Sequence, residues 1–208
     1  KKKTSRLFDI HQLDEMGVPI AHVVTDSRQV RPGDTFLAYP GERADGRNFI
    51  AQAIAAGANA IVWDYQDFSW NPEWIIHVYG YPSQNLWVVG ITGTNGKTSG
   101  CHWYAQAMAN LSRKTAIIGT LGNGFVAELE GSENTTPDAT VLQRMLNQFK
   151  QRGAESFAME VSSHGIAQGR LNGTVFSVAV LTNLSRDHLD YHQDMDAYAA
   201  TKARLFFW

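Results

Sequence analysis

The sequence predicts an α/β chain: a small N-terminal α/β domain followed by a P-loop-type parallel-sheet domain. Three observations carry this reading. Short apolar runs alternate with segments of helical periodicity, the pattern of β-α-β units rather than of hairpins or bundles. The apolar runs after residue 85 are continuous, as strands buried on both faces of a parallel sheet require. The pattern resets once, in YGYPSQN, where Gly80, Pro82, Ser83 and Asn85 read as a linker between a domain over 1–83 and a second over 84–208.

The elements follow in order. AHVVTDSRQV is a strand running into a turn at Asp26-Ser27. RPGDTFLAYPG holds a turn at Pro32-Gly33, a strand from Thr35 to Tyr39 and a break at Pro40-Gly41. Phe49, Ile50, Ala53 and Ile54 recur at helical spacing, and Gly57 stops that helix. NAIVWD and EWIIHV are further short strands. After the linker, LWVVGIT is a fully apolar strand, followed by a loop and a helix from about Lys97 to Leu111. KTAIIGTLG is a strand entering a glycine-rich segment. Residues 138–151 are helical, ESFAMEV and VFSVAVLTN are strands, and 194–207 is helical. Trp63, Phe157 and Phe176 fit core strands, and Cys101 and His102 read as packing residues. No internal repeat or low-complexity segment interrupts this order.

With 208 residues, 44% hydrophobic and 18% charged, the chain can bury a sizeable core. A formal net charge of -2 gives no electrostatic reason to expect nucleic acid or an anionic membrane as partner. The KKK start has no apolar stretch behind it and reads as solvated rather than as a signal peptide. No apolar run approaches the length of a membrane span. A single cysteine, Cys101, excludes an intramolecular disulfide and a multi-cysteine zinc site. The expectation is a soluble cytoplasmic protein.

The chemistry centres on LWVVGITGTNGKTSG. A glycine-rich turn between a strand and a helix aims several backbone N–H groups one way, and the helix N-terminus adds partial positive charge. Gly93, Thr94, Asn95, Gly96, Lys97, Thr98 and Ser99 would form this phosphate loop, with Lys97 on the terminal phosphates and the Thr98 hydroxyl on Mg²⁺. The strict P-loop spacing fails, because Ile91 stands where its first glycine belongs. The bland alternative is a strand-to-helix turn with an incidental lysine.

In open parallel sheets, ligands sit beyond the carboxyl ends of the strands. Glu160 closes the apolar strand in MEVSSHG and could ligate Mg²⁺, or else join an ion pair or helix cap with Ser162 and Ser163. TNLSRDHLDYH crowds Asn183, Arg186, Asp187, His188, Asp190 and His192 past another strand, denser than helix capping needs. Metal or phosphate contact is the better reading there, with zinc disfavoured. In ENTTPD, Thr135, Thr136 and Asp138 could cap the next helix or offer hydroxyl donors to an anionic ligand, and the residues leave these even.

TGTNGKTS, ENTTPD, MEVSSHG and LTNLSRDHLDYH, together with the N-terminal block DSRQVRPGDTFLAYPGERADGRNFI, resemble segments of the Mur ligases in the family's own order. These are ATP-dependent amide-forming enzymes of peptidoglycan precursor synthesis. The resemblance points to the member that adds the third stem-peptide residue, and it covers nearly the whole chain. It implies an ATP loop over Gly93 to Ser99, Mg²⁺ held by Thr98 and Glu160, and a second Mg²⁺ held with help from His188. It implies that Lys202, in YAATKARLF, is carbamylated and serves as a metal ligand or aligns Lys97, whereas the residues alone read Lys202 as a surface helix lysine. Carbamylation needs a neutral amine, hence a lysine of lowered pKa. Catalytic roles thus fall to Lys97, Glu160, His188 and Lys202. The resemblance also implies contacts to UDP-MurNAc-L-Ala-D-Glu from Thr25, Ser27, Glu42, Arg43, Ala44, Asn134, Thr135, Thr136, Ser162, Gln168 and Arg170. The resemblance implies activation of the D-Glu carboxylate as an acyl phosphate and leaves the incoming amino acid as meso-diaminopimelate by expectation, with lysine the alternative.

Two departures from the family stand out. IIHVYGYPSQ runs from a strand straight into the linker, where a strand and a helix are usual. The chain stops at ARLFFW, before the rest of the ATP domain and a C-terminal domain carrying the amino-acid site, and a fragment is the expectation. The competing readings are a non-catalytic module binding a UDP-sugar or ATP, another Mur-type or folate-type ligase, and an unrelated P-loop NTPase.

Overall fold

The computed structural model describes residues 20, 22–41, 44–62, 79–132 and 134–208. The strand expected at EWIIHV, Trp63, and the substrate residues Glu42 and Arg43 lie outside these. The chain divides into two compact units, Lys1–Val78 and Tyr79–Trp208.

The first unit contains β1 (Val23–Val24), β2 (Thr35–Leu37), α1 (Ile50–Ala55) and β3 (Ala60–Val62), with 3-10 turns at Ser27–Gln29 and Gly46–Phe49. The strands are parallel in the order β1-β2-β3. Val24, Val30, Phe36, Ala38 and Ala53 form its core. Of the four apolar positions read as one helical stripe, Ile50 and Ala53 face this core, while Phe49 and Ile54 are exposed. Phe49 ends a 3-10 turn, whose tighter period takes it off the α-helical stripe.

The second unit contains β4 (Trp87–Thr92), α2 (Lys97–Asn110), β5 (Thr115–Gly119), β6 (Gly122–Phe125), β7 (Glu128–Glu130), α3 (Ala139–Gln151), β8 (Ser156–Glu160), α4 (Ser163–Ala167), β9 (Val178–Leu181), α5 (Leu189–His192) and α6 (Met195–Ala203). Its sheet has the order β7-β6-β5-β8-β4-β9. The stretch β5-β8-β4-β9 is parallel. The strand β4 lies between β8 and β9, with Ile91 opposite Glu160 and Thr92 opposite Leu181. The loop after β4 therefore opens where two other strands end.

Alternate residues of the strands feed two cores. Val88, Ile118, Phe157 and Met159 pack with Leu142 and Leu146 of α3. Val89, Ile117 and Ala158 pack with Cys101 and Ala105 of α2. Helices thus cover both faces of the central strands, as continuous apolar runs demand. The outer strand β9 departs from that expectation: among the described residues it pairs only with β4, and Val178 and Leu181 are exposed. Three of the described helices begin at side-chain caps, α3 at Asp138, α4 at Ser162 and α6 at Asp194. The last predicted helix stops at Ala203 and ends in a 3-10 turn over Arg204–Phe207.

Two further features differ from the sequence reading. The glycine-rich segment after β5 is an antiparallel excursion, β6 and β7. Gly122 and Gly124 have φ of +136° and +141°, and a Cβ there would stand 2.6 and 2.5 Å from backbone oxygens of Glu130 and Glu128. Glycine is enforced at positions where propensity argues against a strand. The linker residues Pro82–Asn85 form a 3-10 turn inside the second unit, where buried Ser83 accepts a hydrogen bond from Val175 N–H at 3.1 Å. The division therefore falls after Val78 rather than after residue 83. Among the described residues, no helix is long and apolar enough to cross a membrane.

Candidate active site

The candidate site lies in the second unit, at the carboxyl ends of β4, β5, β8 and β9. Gly93 leaves β4 with φ of +141°, and a Cβ on it would stand 2.0 Å from Thr182 Oγ1. The close approach comes from the segment after β9, which straps the loop. Thr94 N–H donates to the Asn183 carbonyl at 3.0 Å. Asn95 N–H donates to Asn183 Oδ1 at 3.1 Å, and Asn183 Nδ2 returns a bond to the Asn95 carbonyl at 3.0 Å. Gly96, with φ of +84°, turns the chain into α2. The first-turn N–H groups of Lys97, Thr98 and Ser99 have no intrahelical acceptor, which is the donor set an anion needs.

Lys97 curls back over this loop, its Nζ donating to the carbonyls of Gly93 at 2.8 Å and Thr94 at 2.9 Å. Burial lowers its pKa, against the opposing pull of Glu160 and Asp187.

Beside it, Glu160 is 2% exposed at the end of β8. Its Oε1 accepts from Thr98 Oγ1 at 2.9 Å and from Thr120 N–H at 2.8 Å, and its Oε2 from Thr120 Oγ1 at 3.3 Å. The approach is so close that a Cβ on Gly119 would stand 2.3 Å from Oε1. A buried carboxylate held by neutral donors, with the loop threonine on it, fits Mg²⁺, which takes one or two protein oxygens and fills its shell with water and phosphate. Among the described residues, no three His, Cys, Asp or Glu side chains converge on a common metal position.

Lys202, on α6, is 3% exposed rather than at the surface. Its Nζ donates to the Gly93 carbonyl at 3.0 Å and lies 4.7 Å from the ring centre of Tyr198. Two lysines thus share one carbonyl oxygen. Burial, and then the nearby Lys97 ammonium, lower the Lys202 pKa to about 8. Buried Tyr198 meets Thr94 Oγ1 through its hydroxyl at 3.2 Å.

His188 stacks edge-on to His164, at 4.9 Å between ring centres, and lies 6.2 Å from Tyr198. His192 is buried, its Nε2 has no hydrogen-bond partner among the described residues, and burial followed by the neighbouring His164 and His188 lowers its pKa. Thr98 and Glu160 therefore touch each other, while His188 and Lys202 both lie against Tyr198.

Of the residues assigned to the sugar-nucleotide, Thr136 Oγ1 donates to the Glu160 carbonyl at 2.9 Å and accepts from Ser162 N–H at 3.0 Å. Thr135 Oγ1 is 3.0 Å from Thr120 Oγ1. Arg170 Nη1 donates to the Thr136 carbonyl at 2.8 Å, and Ser162 caps α4. Asn134 is exposed, and Gln168 follows α4 as its C-cap. Thr25, Ser27 and Ala44 belong to the first unit, where Ser27 Oγ donates to Gln52 Oε1 at 3.0 Å. The sequence reading missed Thr120, Thr182 and Tyr198. Thr120 was reachable as a polar residue at a strand's carboxyl end, and Tyr198 as the i−4 helical neighbour of Lys202.

The family model of the Mur ligase middle domain matches residues 91–208, and that of the Mur ligase catalytic domain matches residues 19–110. The UDP-N-acetylmuramoyl-L-alanyl-D-glutamate–2,6-diaminopimelate ligase of Nitrosomonas europaea is 57% identical over 94% of this chain and 41% of its own length. The enzyme of that name from Chromobacterium violaceum is 50% identical over 97% of this chain and 44% of its own. A solved structure of a protein with the same name superimposes with a TM-score of 0.72 at 37% identity, over 90% of this chain and 41% of that one. The chain thus spans about four-tenths of the length of the relatives it matches.

Proposed function

The chain belongs to the Mur ligase family, and from that premise we propose that it carries the ATP-binding part of an amide ligase of peptidoglycan precursor synthesis. The ligase extends UDP-MurNAc-L-Ala-D-Glu by meso-diaminopimelate in the cytoplasm. The observation that carries this reading is the convergence of Lys97, Thr98 and the buried Glu160 on one strand-to-helix loop. Relatives of that named activity, at 50% identity or more, support the substrate and the amino acid.

In this reading the loop N–H groups and Lys97 hold the phosphates of ATP. To reach them, the Lys97 ammonium exchanges the carbonyls of Gly93 and Thr94 for phosphate oxygens. Thr98 and Glu160 hold Mg²⁺, which when bound supplies positive charge to the phosphates. The D-Glu carboxylate attacks the γ-phosphorus of ATP, the bond to the β–γ bridging oxygen breaks, ADP leaves, and the carboxylate becomes an acyl phosphate. The amine of the incoming amino acid then displaces phosphate to form the amide. Carboxylate and ATP are both anionic, so charge cancellation and alignment carry much of the rate. Lys202 is poised for carbamylation because its neutral amine is accessible near neutral pH. His188 contributes to a second Mg²⁺. In the first domain, Thr25, Ser27, Glu42, Arg43 and Ala44 contact the sugar-nucleotide. In the central domain, Asn134, Thr135, Thr136, Ser162, Gln168 and Arg170 do so.

Calorimetric titration with UDP-MurNAc-L-Ala-D-Glu tests this. Saturable binding that weakens in Ser27→Ala and Arg170→Ala is the expected result. No binding by a chain shown to be folded by circular dichroism overturns the substrate assignment.

A further inference from the structure

Thr120 stands one residue past β5 and belongs to none of the four motifs that mark the site. Besides its N–H bond to Glu160, its Oγ1 faces two oxygens: Glu160 Oε2 at 3.3 Å and Thr135 Oγ1 at 3.0 Å. A threonine hydroxyl has one proton, and a carboxylate has none to give. Bonds to an ionised acceptor are about twice as strong as neutral ones, so the Thr120 proton goes to Glu160. The contact with Thr135 is then a hydrogen bond only if Thr135 donates. Thr135 has spent its single proton, and what it turns outward is a lone pair. Thr136 is committed as well, since its proton goes to the Glu160 carbonyl.

We propose that Thr120 is a positioning residue that fixes the Glu160 carboxylate and orients Thr135 as a hydrogen-bond acceptor. Thr135 then receives an N–H or O–H group of the acceptor substrate and does not donate to its carboxylate or phosphate. This reverses the polarity that a threonine beside an anionic ligand suggests. The inference rests on the function proposed above.

The test is a calorimetric double-mutant cycle on the 208-residue chain, titrated with UDP-MurNAc-L-Ala-D-Glu. Thr120→Val keeps the branched shape and the N–H bond and removes only the hydroxyl. Its affinity is expected to fall about fivefold, the loss of one neutral hydrogen bond. Thr120→Ser restores it, Thr135→Val weakens it to a similar degree, and the double variant is no weaker than Thr135→Val. A general packing role instead gives additive losses with a lowered thermal midpoint, which overturns the proposal, as does wild-type affinity in Thr120→Val. Thr120→Ala repeats the cycle if the valine variant does not fold. No binding by the folded wild-type chain overturns the proposed function and this inference together. Wild-type binding with an unchanged Thr120→Val overturns this inference alone.

Discussion

Two buried groups of opposite charge flank the loop after β4, and they are held in different ways. On the β8 side, Glu160 meets three hydrogen bonds from Thr98 and Thr120, all from uncharged donors. On the α6 side, Lys202 reaches a backbone carbonyl that it shares with a second lysine. A buried charge is costly unless hydrogen bonds or a counter-charge compensate it. Glu160 is compensated as an anion, ready for a cation. Lys202 is under-compensated as a cation, and its pKa falls to about 8. One side of the loop keeps a charge in place, and the other makes a charge easy to shed.

The largest disruption comes from joining the two sides badly. Gly93→Ala drives a Cβ into Thr182 Oγ1 at a φ of +141°. We expect a loss of about 3 kcal/mol in urea unfolding, with phosphate binding lost as the strap shifts. Next is the asymmetry itself. Glu160→Ala strands its donors and costs about 2 kcal/mol, whereas Lys202→Met, of similar shape, leaves stability at pH 7 unchanged or raised. Equal losses in the two variants, measured by urea midpoints, would break the comparison.

A smaller effect is the pH dependence. The folded pKa of Lys202, about 8, lies below its ordinary 10.5. Between these values the unfolded chain binds more protons, so this lysine makes stability rise with pH from about 8 to 10.5. That slope in urea midpoints should shrink in Lys202→Met. The smallest effect sharpens the cause. Lys97→Met removes the nearby ammonium, so the carbamate formation proposed at Lys202, followed by ¹³C-bicarbonate NMR, should shift to higher pH.

Much of the second unit was legible because β4, β5 and β8 are continuous apolar runs and α2, α3, α4 and α6 begin at a glycine or a side-chain cap. The strands β4, β5 and β8 and the helix α3 fall where periodicity puts them. The strands β6 and β7 were not legible, because the glycines that their close backbone approach requires are those that propensity reads as loop. Lys97, Thr98 and Glu160 announced themselves by spacing and by a charge closing an apolar run. The burial of Lys202 did not, since a lone lysine near the end of a short helix reads as solvated, and only the resemblance singled it out. The strap from Thr182 and Asn183 depends on β9 lying beside β4, a pairing of residues about ninety apart that local pattern does not encode.

The most direct test of the central claim, that the β4 loop is a nucleotide phosphate site with Glu160 as its metal-side anion, is calorimetric titration with ATP, with and without Mg²⁺. Wild-type, Lys97→Met and Glu160→Gln chains would be compared. The account predicts saturable binding that needs Mg²⁺, falls about tenfold or more in Lys97→Met, and loses its Mg²⁺ dependence in Glu160→Gln. A folded wild-type chain that binds no ATP, or binds it equally well without Mg²⁺, would contradict it.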